Sequence, residues 1–136
     1  MSFASLLGIV LLALVALLLL RQIYFKRQVR HYSVDEVIKK LKFSIPLVLL
    51  DVRTTGENRQ GHIPDSLHIP LHELNSRLPE LESYRHREIV VYCATGARSV
   101  IATHLLQKHG FNAANLRGGF SAWRANPHSN KEENAR

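Results

Sequence analysis

One hundred and thirty-six residues leave room for a single domain and little else. The net charge of +7 does not point to nucleic acid: residues 21–30 alone hold Arg21, Lys26, Arg27 and Arg30 with no acid, whereas residues 31–125 hold twelve Lys/Arg against nine Asp/Glu, and no interleaving of aromatic and basic residues is present. Cys93 is the only cysteine, which excludes an intramolecular disulfide, a paired-cysteine zinc site and a CxxC redox pair.

The chain opens with FASLLGIVLLALVALLLL, eighteen uncharged residues from Phe3 to Leu20. As a helix this run is about 27 Å long, close to the roughly 30 Å hydrocarbon core of a bilayer. Gln22 to Phe25 extend it into an interfacial zone, where Tyr24 and Phe25 suit the headgroup level and Arg21 and Lys26 can snorkel. A cleaved signal peptide would place its basic residues before the apolar core and a small-x-small site after it. Here the basic residues follow the core, and RQIYFKR offers no such site. Residues 1–25 are therefore expected to be an uncleaved transmembrane helix, with membrane contact through residues 3–20. By the positive-inside rule the N-terminus faces outward and the rest is cytoplasmic, at the inner membrane if the source is bacterial. Ala4 and Gly8 make a small-xxx-small pair of a kind common by chance.

Residues 26–32 read as a basic juxtamembrane linker, residues 33–125 as the folded domain and residues 126–136 as a polar tail that frays. Ser33-x-x-Glu36 is a capping box that opens a helix, with Val34, Val37, Ile38 and Leu41 as its apolar face and Phe43-Ser-Ile-Pro46 as its end. Lys39, Lys40 and Lys42 are most simply its solvated side. Leu47–Asp51 is continuously apolar before its final acid, as befits a strand covered on both faces of a parallel sheet. Glu88–Cys93 repeats that character. Between them lie turn signals at Gly61-His-Ile-Pro64 and Ile69-Pro70, then a short helix around residues 71–78 that ends at Pro79. From Arg98 to His109 the pattern is helical, with Val100, Ile101, Leu105 and Leu106 as the expected buried stripe and Gly110 as the residue after the cap. Phe111 to Leu116 reads as another strand, followed by Gly118-Gly119 and Phe120-Ser-Ala-Trp123, where Trp123 is a core or lid aromatic. Strands alternating with helices predict an α/β layer fold around a mostly parallel sheet.

The chemistry concentrates where a strand ends at Cys93 and a helix begins near Arg98. Loops in that position bind anions in α/β folds, because backbone N–H groups converge and the helix dipole adds partial positive charge. Gly96 allows a tight turn and close approach of the backbone. A thiol in such a cradle loses its proton readily, and the thiolate is the nucleophile. Arg98 adds a permanent charge and a forked set of donors for oxyanions.

With these residues in view, the sequence resembles the rhodanese superfamily from about His31 to Arg124. Asp51-Val-Arg53, Glu57, Gly61-His-Ile-Pro64, Ile69-Pro70, Val90-Val-Tyr-Cys93 running into Cys-Ala-Thr-Gly-Ala-Arg-Ser, and Leu116-Arg-Gly-Gly119 before Trp123 occur in the family's order and spacing. The resemblance implies a three-layer domain, a small mostly parallel sheet flanked by helices, here preceded by one transmembrane helix. It also implies a sulfurtransferase. The Cys93 thiolate takes the outer sulfur of thiosulfate or a similar donor, and the persulfide passes it to an external thiol, cyanide or a protein acceptor. Ala94, Thr95, Gly96, Ala97, Arg98 and Ser99 would bind the donor, Asp51 and Arg53 would support the site, and no metal or organic cofactor is implied.

Two features depart from the family pattern: Asn58 stands where an aromatic is usual, and Asp65-Ser66 replaces the common Gly-Ala. Rhodanese folds also serve as non-catalytic binding modules, which typically lack the cysteine. Phosphatases and arsenate reductases of the Cys-x5-Arg type place five residues between Cys and Arg. This chain has four, the shorter loop of the sulfurtransferase branch. Among the histidines, His62 reads as a structural hydrogen-bonding residue of its turn. His68 and His72 are spaced to share a helix face, but no Cys or carboxylate completes a metal set. His31, His86, His104, His109 and His128 carry no pattern.

Overall fold

The computed structural model describes residues 1–129, apart from the side chains of residues 25–27. The last seven residues of the expected tail and the interfacial side chains of Phe25 and Lys26 lie outside the described residues.

Helix α1, Phe3–Gln28, begins at Ser2, whose hydroxyl accepts from the Ser5 N–H. Its stretch Phe3–Tyr24 is long and apolar enough to cross a membrane and is exposed along its whole length. The helix runs three residues into the expected linker, and the linker's end is not free either. His31–Tyr32 forms strand β1, paired in parallel with Asn115 and Leu116. The backbone N–H groups of Asn115 and Arg117 donate to the carbonyls of Arg30 and Tyr32. Residues 30–32 thus cover a sheet edge whose donors would otherwise lack partners.

Helix α2, Val34–Lys42, starts with the capping box in full: Glu36 N–H to Ser33 Oγ and Ser33 N–H to the Glu36 carboxylate. Val34, Val37 and Ile38 are buried and Leu41 is partly so. The helix closes at Ser44, a non-glycine residue at φ 52°, with the Ile45 N–H bonded back to the Lys40 carbonyl. Lys40 is not simply solvated: its ammonium lies 3.2 Å from the buried carboxylate of Glu88, which Arg30 and the Tyr32 hydroxyl also reach.

Strands β2 (Leu47–Asp51), β3 (Leu67–His68), β4 (Glu88–Tyr92) and β5 (Ala113–Leu116) complete an all-parallel sheet of order β1-β5-β4-β2-β3. Alternation along the strands feeds two cores. Val48, Leu50, Ile89, Val91 and Cys93 face one side, against helices α4 (Leu71–Arg77) and α5 (Ala97–Lys108). Leu47, Leu49, Val90 and Tyr92 face the other, against α2 and α6 (Gly119–Ala125). Both faces being covered is why β2 and β4 read as unbroken apolar runs. Removing the fully buried side chain of Leu50 to alanine would cost about 2–5 kcal/mol.

Several local expectations are corrected. The chain continues past α4 as a 3₁₀ segment, Leu78–Tyr84, with Pro79 in its first turn, where a missing N–H costs nothing. The buried stripe of α5 is Ser99, Ala102, Thr103 and Leu106, while Ile101 is exposed. Small residues on that face let the helix sit close to the sheet, and Val100 and Ile101 turn toward α1. The chain after Trp123 does not fray at once: the Ser129 hydroxyl is buried against the Trp123 and Asn126 carbonyls, and Asn126 and His128 reach Asp35.

Candidate active site

Strand β4 ends at Tyr92, and α5 begins with Gly96 as its cap at φ 113°. The three residues between, Cys93 to Thr95, fold the loop over the thiol. Cys93 is buried, the Gly96 N–H donates to its Sγ at 3.0 Å, and the Ser99 hydroxyl oxygen lies 3.3 Å away. Burial on its own raises the thiol, but the bonds from Ser99, Gly96 and Thr95 together outweigh it and leave the thiol lowered.

The loop is held from behind by the start of α6. The N–H groups of Phe120 and Ser121 donate to the carbonyls of Cys93 and Ala94 at 2.8 and 3.1 Å. That contact demands glycine at 119: φ is +58°, and a Cβ there would lie 2.3 Å from the Cys93 carbonyl oxygen.

Arg98 reaches across to helix α3, Thr55–Arg59. Its guanidinium makes a two-pronged contact with Glu57 at 2.7 and 2.9 Å. Glu57 is itself fixed as the reciprocal partner of Thr54 in a second capping box. The guanidinium, together with the Thr54 donors, holds the Glu57 carboxyl at about 2, far below the usual range, so it is ionised at any physiological pH. Arg98 therefore enters the site oriented rather than mobile. The Thr54-x-x-Glu57 spacing is a legible capping signal, but the pairing of Glu57 with Arg98 is not local in sequence.

Asp51 and Arg53 do not touch Cys93. They form a buried ion pair at 2.7 Å, completed by the Arg53 backbone N–H and by Asn58, whose amide donates to Asp51 at 2.9 Å. Burial raises the Asp51 carboxyl, yet these donors prevail and keep it lowered. The Arg53 guanidinium donates to the Gly61 carbonyl and stacks 4.3 Å from the ring of Phe120, the residue whose N–H holds the Cys93 carbonyl. The pair thus braces the support of the loop.

Both departures from the family pattern have partners in this network. Asn58 binds Asp51, and Ser66 bonds the Tyr92 hydroxyl at 2.9 Å, which also accepts from the Ile63 N–H. Burial pushes Tyr92 up to about 12, so it stays a neutral hydrogen-bonding group. His62 bonds the Asn58 carbonyl in its turn. His68 lies on β3 and bonds the Arg53 carbonyl, whereas His72 is on α4 beyond Pro70 and exposed, so the two do not share a helix face. Among the described residues no cluster of three His, Cys, Asp or Glu is placed to hold a metal ion.

On the other side of the loop a cleft of about 860 Å³ opens between α1 and α5. Gln22, His31, Val100, Ile101, His104 and Arg117 line it, with Thr95 and Gly96 at its inner wall. Two of its lining residues, His31 and Asn115, were not expected to bear on the site. An asparagine inside an otherwise apolar strand was the available signal.

An all-parallel sheet with helices on both faces, and a cysteine under the loop between a strand end and a helix start, defines an α/β domain with one buried thiol at the carboxyl end of its sheet. Residues 33–126 match the model of the rhodanese-like domain. A sulfurtransferase of Allochromatium vinosum is 38% identical over 90 residues, covering 65% of this chain and 82% of that one. The thiosulfate sulfurtransferase GlpE of Coxiella burnetii is 28% identical over 110 residues, covering 79% and 97%. Among solved structures, a rhodanese-like domain protein from Staphylococcus aureus superposes with a TM-score of 0.65 at 32% identity, over 69% of this chain and 90% of that one. The chain belongs to the rhodanese-like domain family. Sulfur transfer of the rhodanese type is the general chemistry that these relatives support.

Proposed function

We propose that this chain is a membrane-tethered sulfurtransferase that carries sulfur as a persulfide on Cys93. The observation that carries the reading is the Cys93 sulfur seated under its loop, with the Gly96 N–H at 3.0 Å and a lowered thiol. In the first step the thiolate attacks the outer sulfur of thiosulfate. The new Sγ–S bond forms as the S–S bond of the donor breaks, and sulfite leaves with the bonding pair. In the second step a nucleophilic acceptor takes the outer sulfur, and the electron pair returns to Cys93 as thiolate. With Cys93 the only cysteine, the acceptor is external: cyanide, a small thiol or a protein. The loop amides of residues 94–99 are suited to hold the persulfide anion. Arg98, oriented by Glu57, is suited to face the oxyanion of the donor.

Helix α1 is the tether in this reading. Arg21, Lys26, Arg27 and Arg30 favour a cytoplasmic domain with the short N-terminus outside. The test uses the full chain in detergent micelles, incubated with thiosulfate and read by intact-mass spectrometry. A reducible gain of one sulfur that vanishes in Cys93→Ser is the expected result. No gain in folded protein would reject thiosulfate as the donor.

A further inference from the structure

Asn115 is the only polar side chain of β5 and is buried there, so its amide needs partners at both ends. At one end the Ser99 hydroxyl donates to Asn115 Oδ1 at 2.5 Å. At the other, Asn115 Nδ2 lies 3.0 Å from His31 Nδ1. Ser99 is fully buried, and its oxygen is 3.3 Å from Cys93 Sγ. Four side chains, from the loop after β4 and from α5, β5 and β1, thus form one hydrogen-bonded chain. It leads from the thiol to a half-buried histidine in the cleft beside α1.

Each link holds one hydrogen, so the chain has two polarities. With His31 neutral and its proton on Nε2, Nδ1 accepts from Asn115 and the Ser99 hydroxyl donates into Asn115. The Ser99 hydroxyl then shows only lone pairs to the sulfur, and a thiolate is left to the backbone N–H groups of the loop. With His31 protonated, Nδ1–H donates, and the Asn115 amide turns over to accept it. The amide N–H₂ then faces Ser99, whose hydroxyl is released to donate to the sulfur. That arrangement suits a sulfur anion.

We propose that His31 is a positioning residue for the Cys93 anion, acting through Asn115 and Ser99 as a reversible hydrogen-bond relay. The proposal rests on Cys93 being the nucleophile. The coupling is reciprocal: a sulfur anion favours the proton on His31, and the proton favours the anion. The groups around His31 sharpen this. From the segment after β5, Arg117 lines the same cleft, as do His104 from α5 and Gln22 from α1. No carboxylate does so among the described residues. Its chain neighbours Arg30 and Tyr32 turn to Glu88. Arg117 opposes a charge on His31, so the sulfur at the far end of the relay is the negative group that favours it.

The test is the pH dependence of Cys93 alkylation by iodoacetamide in the full chain in micelles, for wild type, His31→Phe and Asn115→Leu. The relay is expected to make both variants about threefold slower near pH 6, converging with wild type above about pH 9. A purely structural role would slow the reaction equally at every pH. Parallel profiles would therefore overturn the relay and leave the nucleophile in place. A Cys93 that alkylates in no folded chain below about pH 9 would overturn both. Should the variants fail to fold, the histidine resonances of the wild-type chain are titrated before and after the thiol is capped. Capping is expected to change the His31 resonances; resonances unchanged by capping would reject the relay.

Discussion

Glu57 and Arg98 stand 41 positions apart in sequence and meet in a two-pronged ion pair of 2.7 and 2.9 Å at the mouth of the Cys93 loop. Neither is deeply buried, so the pair contributes at most about 1 kcal/mol to stability. Its weight lies in aiming the guanidinium. Glu57→Gln is expected to leave the melting temperature nearly unchanged while slowing sulfur loading from thiosulfate by about tenfold. Equal effects on both would show that the pair serves the fold alone.

The same pair sets an acid limit. The folded state lowers the Glu57 carboxyl to about 2, so it favours the ionised form. The resulting stabilisation is complete above the ordinary glutamate pKa of 4.5 and is lost as pH falls from there through about 2. Acid unfolding followed by tryptophan fluorescence is expected to show wild type losing stability relative to Glu57→Gln across that window. Curves that stay parallel would contradict the pairing.

Gly119 is the tightest backbone contact on the Cys93 loop. Alanine there meets the Cys93 and Ala94 carbonyl oxygens at 2.3 and 2.8 Å in a backbone conformation already costly for any residue with a Cβ. Gly119→Ala is expected to destabilise the domain by about 2 kcal/mol or more and to abolish fast alkylation of Cys93. Wild-type alkylation at neutral pH in that variant would show that the loop does not depend on this support.

The Asp51–Arg53 pair is buried, unlike Glu57–Arg98, and breaking it leaves an unpaired charge in the core. Asp51→Ala is expected to cost about 3–5 kcal/mol, and the double replacement Asp51→Leu with Arg53→Met clearly less. Denaturant unfolding of the single and double variants measures the difference. A double variant as unstable as the single one would mean that the hydrogen bonds to Asn58 and Gly61 matter more than the charge pairing.

Ser44 closes α2 in the left-handed region at φ 52°. Ser44→Gly is expected to stabilise the domain by up to about 1 kcal/mol, because glycine adopts that conformation without a Cβ penalty. A drop in the unfolding midpoint would instead mean that the lost chain entropy of glycine dominates.

What the sequence by itself determined is what depends on near neighbours. The apolar runs at Leu47–Leu50 and Ile89–Tyr92, the capping box at Ser33, the Gly110 cap and the passage from strand to loop to helix at Cys93 all rest on periodicity and local hydrogen bonding. Those signals sufficed for a parallel α/β domain with a thiol in the loop between a strand end and a helix start. They also sufficed for an apolar helix long enough to span a bilayer. What only the tertiary structure decided is which distant residues meet. Periodicity placed Val100 and Ile101 in the core of α5. The close approach of helix to sheet instead favours the small face of Ser99 and Ala102. The presumed linker became a sheet edge because Asn115 and Arg117 needed acceptors for their N–H groups. Arg98 acquired Glu57, Gly119 acquired the Cys93 carbonyl, and Cys93 acquired a route through Ser99 and Asn115 to His31. Each of these contacts satisfies a buried or oriented polar group across tens of residues, and such pairings exist only once the sheet order has brought the strand ends together.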